Sequence, residues 1–299
     1  MTQSTPTDVA SAPFRERVVD FVFELESYLG TFGFYIITVG ITAIILFPFY
    51  WLLANSFENP DLFYQQPISY IPQDPGLQSY RELFQTIPFT RFYINSVVVA
   101  VGSITLALIV AAFAGYSFAR GDYAGRKSFT LLTIVTQFLP RILLLIPLFI
   151  ILQTIGLTNS LFGLMFTYLA FALPFSTLIL KSYFEAMPSA LEEAAMIDGC
   201  NRAQAFYKIV LPISKPGLIA AGTYSFVVVW QELIFALTFM SDQEAYTLPV
   251  GLLSVISAYD QPWHVLFAGG VLATVPPILL FLGLQRYLIQ GMTAGAVKE

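Results

Sequence analysis

Arg141 and Glu232 are the two ionisable residues that the sequence sets inside long apolar runs. A charge at the centre of a bilayer costs about 2.5–3.5 kcal/mol even on a lenient insertion scale, so such a residue faces a partner or a cavity. With their runs starting near residues 128 and 217, the two lie two positions apart in depth, roughly 3 Å at helical rise. They are expected to pair or to border a pathway together, the alternative being a purely structural buried ion pair. Gln231 adds a polar group beside Glu232. Catalytic chemistry has no such foothold. One histidine, His264, and one cysteine, Cys200, stand far apart, and neither a His-Glu-x-x-His pair nor a Gly-x-Ser-x-Gly elbow occurs. The nearest approach to a phosphate-binding loop, "GDYAGRKS" at 121–128, has the wrong spacing for backbone amides to cradle phosphate. The expectation is a chain with no catalytic role, no metal site and no bound cofactor. His264 then reads as an interfacial residue and 121–128 as a turn.

The elements that position these residues are membrane spans. The chain is 57% hydrophobic and 11% charged, whereas a soluble domain carries roughly 25% charged residues. No charge occurs from Ser27 to Phe57, from Phe92 to Ala119 or from Val265 to Gln285, and each run reaches the roughly 20 residues that cross a bilayer as a helix. Six spans are expected, at about 34–57, 92–119, 128–154, 160–181, 217–241 and 264–286, in an all-α integral membrane protein. Prolines at 48, 140, 147, 174, 276 and 277 imply kinks within them. The first span follows an acidic lead that lacks the basic start and short apolar core of a secretory signal, so it reads as retained.

Charge then orients the threading. If both termini are cytoplasmic, that side holds Arg15, Arg17, Arg120, Arg126, Lys127, Lys181, Arg202, Lys208, Lys215, Arg286 and Lys298. The outside keeps only Arg81 and Arg91. Residues 14–29 place Phe14, Val18, Val22, Leu25 and Leu29 on one helical face, the pattern of an interfacial amphipathic helix within a cytoplasmic lead of residues 1–33. The remainder, 34–299, is expected to hold the six spans, with an external loop at 58–91 that carries a small helix near 77–86. A net charge of −5 argues against nucleic acid. Trp51 and Trp263 fit an aromatic belt, Trp230 lies within a span, and Asn95 and Ser96 suit bonds between helices. Tyr116 and Phe171 suit packing or pathway lining equally.

The polar stretch "EEAAMIDGCNRAQAFYKIVLP" (192–212) interrupts the apolar pattern. Ser189 and Glu192 make a capping-box signature for a helix start, and Gly199 is placed to end that helix in a left-handed turn. Asn201 and Gln204 repeat the start signal for a second short helix that Pro212 closes. Small alanines permit close approach, while Phe206, Tyr207 and Ile209 are expected as apolar anchors for a partner's groove.

Glu193-Ala194-Ala195, Gly199, Ile209 and Leu211-Pro212 resemble, in order and spacing, the EAA loop of ABC importer permeases. "PRILLLIPLFIIL" (140–152), "WQELIFALTF" (230–239) and "QRYLIQGMTAGAVKE" (285–299) resemble the carbohydrate-uptake branch, the ending being most similar to the second permease subunit of maltose-type systems. "WQE" is similar to that family's Trp-Asn-Asp/Glu pattern with Gln231 in place of asparagine, whereas Arg141 is less typical. The resemblance implies that residues 185–216 form a cytoplasmic two-helix coupling loop seated in a cleft of an ATP-binding subunit. It implies a second permease subunit, two ATP-binding subunits that carry ATP and Mg, and an extracellular solute-binding protein, in a prokaryotic cell membrane. It also implies that sugar contacts come largely from the other permease. The rival reading, an ion-gradient-driven secondary transporter, suits the proline-broken spans but needs inverted repeats or midplane ion ligands, and the sequence presents neither.

Overall fold

A computed structural model describes the backbone of residues 14–63, 66–256 and 262–296, and the side chains of 30–63, 66–256 and 262–286. Every regular element among them is helical. The chain opens with α1 (Phe14–Phe57), the short α2 (Gln78–Thr86) and α3 (Phe89–Arg120). It continues through α4 (Arg126–Thr136), α5 (Leu145–Thr154) and α6 (Leu161–Ala186). Three small helices follow, α7 (Ala190–Ile197), α8 (Arg202–Ala205) and α9 (Leu211–Ile213). The last are α10 (Lys215–Trp230), α11 (Ile234–Phe239), α12 (Leu248–Leu253) and α13 (Trp263–Ala296).

Among the described residues four helices are long and apolar enough to cross a membrane: α1 from Gly30 onward, α3, α6, and α13. A fifth such segment is α4 with α5, bent by 101° between them. Pro140 explains the bend. It holds an extended backbone (φ −59, ψ 119), its ring disfavours the helical state in the residue before it, and it has no N–H to continue a helix. A 3-10 turn, Arg141–Leu144, then starts the second half. Residues 217–241 divide too, because α10 stops at Trp230 and α11 starts at Ile234. The expected small helix near 77–86 is α2. The segment expected to lie on the membrane surface, 14–29, is helical and continuous with α1, and its side chains lie outside the described residues.

The core is built on α3 and α6, the most extensive helix pair, with α10 packed against both. Ser103, Ala107, Ala111 and Gly115 line one edge of α3 at intervals of four, all buried. A Cβ at Gly115 would sit 3.0 Å from the Lys181 amide nitrogen and 3.1 Å from the Thr177 carbonyl. Backbones approach this closely only where side chains are small, the usual device for joining helices in lipid. α1 is peripheral: it packs on α13 and α2, and none of its apolar window is buried within this chain.

α3 and α6 run in the same direction, which defines two faces of the bundle. At one, Arg120 pairs with Glu192. At the other, Arg91 pairs with Glu244, and the Asn159 side-chain oxygen accepts the amides of Ser241 and Asp242. Asn95, expected to bond between helices, donates instead to the carbonyls of Glu244 and Tyr246, each at 2.9 Å. Ser96 accepts the Leu248 amide at 2.7 Å. Asn95 thus holds the segment before α12 to the start of α3, while Ser96 bonds between helices as expected, to the first residue of α12. His264 lies at this face too, 3.0 Å from Glu82, as does Trp263, while Trp230 is buried and donates to the Ala273 carbonyl at 3.0 Å.

Candidate functional site

At the Arg120 face the chain leaves α6 and turns through residues 187–215. α7 starts where expected, but not by the expected device. Ser189 already has helical φ and ψ and makes no side-chain cap bond. Glu192 turns away from it: Oε1 accepts from Arg120 Nε at 2.8 Å and Oε2 from the Tyr116 hydroxyl at 2.6 Å. Charge-assisted bonds are stronger than a neutral amide contact, so a guanidinium and a phenol outcompete the backbone. Arg120 also donates to the Met187 carbonyl. Glu192 is 8% exposed, and its neighbours diverge by helical spacing. Ala195 is buried beside it, while Glu193, Ala194 and Ile197 are exposed, Ile197 by 86%.

Gly199 ends α7 as expected, with φ +88 and open space around it. Asn201 and Gln204 then form a full capping box, each side chain bonded to the other's backbone N–H at 2.9 Å. The next expectation fails. Phe206 is no partner-facing anchor: it is 3% exposed and packed with Ala111, Leu180, Phe184 and Val210. Its ring lies 4.7 Å from that of Tyr116 and 5.5 Å from that of Phe113. The apolar end of α3 takes this ring first, leaving Tyr207 exposed and Ile209 and Leu211 half-buried. Pro212 does not close the second helix either. A π-helical turn, Phe206–Val210, precedes it, and the chain stays helical through α9 into α10 with a break only at Ser214. Proline has no N–H to give Lys208 and its ring would strike that carbonyl; the wider turn relieves the clash.

Within the apolar interior, Arg141 and Glu232 do not form an ion pair. The Glu232 carboxylate accepts the Tyr168 hydroxyl at 2.5 Å and the amides of Phe235 and Ala236 at 3.0 and 3.3 Å. It therefore caps α11, which is the physical reason the fifth expected span breaks there. The Arg141 guanidinium is exposed and sits 5.7 Å over the ring of Phe171. Phe171 in turn packs edge-on to Phe235 at 4.8 Å. Arg141 thus meets this aromatic pair over the Phe171 ring, and Glu232 meets it only through the Phe235 backbone amide. Gln231 is exposed at the end of α10.

Two groups escaped the sequence reading, the Tyr116–Arg120–Glu192 cluster and the small-residue edge of α3. Tyr116 and Arg120 are four residues apart at the end of an apolar run, a spacing that puts them on one helical face. Their partner lies more than 70 positions away, and nothing local marks it.

Residues 103–294 match the family described as binding-protein-dependent transport system inner membrane component. The sulfoquinovosyl glycerol transport system permease protein of Agrobacterium fabrum is 37% identical over 253 residues, 85% of this chain and 89% of that one. The diacetylchitobiose uptake system permease protein of Streptomyces coelicolor is 33% identical over 265 residues, 87% and 96% of the two chains. The trehalose/maltose transport system permease protein of Thermococcus litoralis is 34% identical over 259 residues, 85% and 92%. A chain of a solved bacterial ABC transporter involved in the import of the acidic polysaccharide alginate matches with a TM-score of 0.74, over 93% of this chain and 99% of that one. At 21% identity that likeness is one of fold. The family match runs through the loop and the broken helices alike, and it settles the choice that kinked spans leave open. The chain belongs to the inner-membrane components of binding-protein-dependent transport systems, as a permease of the ABC-importer type and not an ion-gradient-driven secondary transporter.

Proposed function

We propose that this chain is one of two permease subunits of an importer for a sugar or related polyol, and that the loop 185–216 is where an ATP-binding subunit docks. The observation that carries the reading is the outer side of α7. Glu193, Ala194 and Ile197 are exposed together on a helix whose inner side is buried and ion-paired. A short helix so backed presents small and apolar residues on a firm base, the form a partner's cleft accepts. The saccharide names of the relatives support the solute class.

Six crossings follow from the same reading. The crossings are then α1, α3, α4 with α5, α6, α10 with α11, and α13. The eleven-to-two distribution of Lys and Arg supports a cytoplasmic Arg120 face with both termini on that side. Residues 1–33 then lie on the cytoplasmic side of a prokaryotic cell membrane, with 14–29 continuing α1 out of its crossing. This subunit is non-catalytic. ATP and Mg belong to a pair of ATP-binding subunits, and a solute-binding protein delivers to the opposite face. Closure of the ATPase dimer moves the loop, and the spans alternate between inward and outward access.

Glu193→Lys and Gly199→Pro test the docking site in the reconstituted complex. Both are expected to abolish co-purification of the ATP-binding subunits and ATP-dependent uptake while the permease stays folded in the membrane. Uptake that persists without any ATPase would overturn the reading.

A further inference from the structure

The side of α7 that faces away from the proposed docking surface is held unusually firmly. Glu192, 8% exposed, takes one bond from Arg120 and one from Tyr116 on its two oxygens. Arg120 uses a second nitrogen on the Met187 carbonyl, where α6 ends. The other half of the loop is tied to the same turn of α3, because Phe206 packs on the Tyr116 ring. Apolar contacts alone would let a short helix slide or roll. Two directional bonds to one buried carboxylate fix its position and orientation together.

α3 is well placed to carry what reaches that turn. It is 32 residues long, roughly 48 Å at helical rise. Gly115 locks its backbone against that of α6, so the pair moves as one body. At its opposite end Arg91 and Asn95 grip the segment 244–246, and Ser96 holds the first amide of α12. One rigid helix therefore joins the ATPase-facing loop to the loop at the other face.

We propose that Glu192 is a positioning residue of the transport cycle: through Arg120 and Tyr116 it clamps α7 to α3, so that displacement of the loop is delivered along α3 to residues 244–248. This rests on the docking reading above. Glu193 and Glu192, adjacent in sequence, then have separate roles. The first faces the motor, and the second fastens the loop to the helix that moves.

The test uses the complete reconstituted importer with its binding protein, and compares solute taken up per ATP hydrolysed. Glu192→Ala and Arg120→Ala are expected to retain the ATP-binding subunits while uptake per ATP falls about tenfold, the scale of one lost charge-assisted bond. Glu192→Gln, which keeps an acceptor for Arg120, falls less. The exchanged pair Glu192→Arg with Arg120→Glu regains part of the loss, whereas a merely structural role would lower the yield of folded complex and leave uptake per ATP unchanged. Glu193→Lys, by contrast, loses the ATP-binding subunits themselves. Wild-type uptake per ATP in Glu192→Ala would overturn the proposal, and so would a defect that appears only as lost ATPase binding. If Glu193→Lys also leaves the ATPase bound, it is the docking reading that fails.

Discussion

Glu232 is an acidic residue in an apolar run that is satisfied without a cation. Its oxygens accept a buried tyrosine hydroxyl and two backbone amides, so the charge stabilises a helix start in place of an ion pair. Removing the Tyr168 hydroxyl should cost about 1.5–3 kcal/mol, the worth of a hydrogen bond to a charged group. Thermal unfolding of the purified complex in detergent would show Tyr168→Phe destabilised, and Glu232→Ala more so because α11 loses its cap. Glu232→Gln should lie closest to wild type, since an amide oxygen still accepts from Phe235. An Arg141→Ala variant as unstable as Glu232→Ala would mean that the two charges are coupled after all. At this scale the sequence is legible only where partners are local. Gly199 and the Asn201–Gln204 box declare themselves because turn and cap chemistry acts within a few residues. Phe206 and Glu192 do not, because their surroundings come from the end of α3.

Among the elements, α3 and α6 show why hydropathy locates spans but not contacts. The edge Ser103, Ala107, Ala111, Gly115 has the same mean hydropathy consequence wherever it faces, yet it fixes which helix lies against α3 and how closely. Gly115→Val places branched carbons where even a Cβ would meet the backbone of α6 at 3.0–3.1 Å. Backbone on both sides cannot yield as a flexible side chain does. The helices must separate along their length, at a cost of about 1–3 kcal/mol for overpacking. The purified subunit should lose thermal stability, and Gly115→Ala should lie between it and wild type. A fully stable Gly115→Val would show that the pair is looser than its geometry implies. Broken spans are the counterpart. Residues 128–154 and 217–241 have the composition of crossings, and a single proline or capping carboxylate divides each while leaving it largely apolar.

For the molecule as a whole, the decisive element is the one that length rules pass over. α10 has 16 residues, roughly 24 Å at helical rise, which falls short of a hydrocarbon core about 30 Å thick. It crosses only if α11 completes the passage beyond the Glu232 break. The chain carries its own probe for this. Cys200 is the single cysteine, half-buried next to the Gly199 turn, and Gln243 is exposed just past α11 at the opposite face. A membrane-impermeant maleimide should label Cys200 in inside-out vesicles but not in intact cells. Gln243→Cys in a Cys200→Ser background should react from the outside alone. Assembly with the ATP-binding subunits should slow labelling of Cys200, because the docking face adjoins it, and leave Gln243→Cys unaffected. Reaction of both positions from the same side would mean that α10 and α11 dip into the membrane and return. The two faces of α3 would then no longer correspond to the two sides of the bilayer, and a rod running from motor to entrance would have nothing to connect.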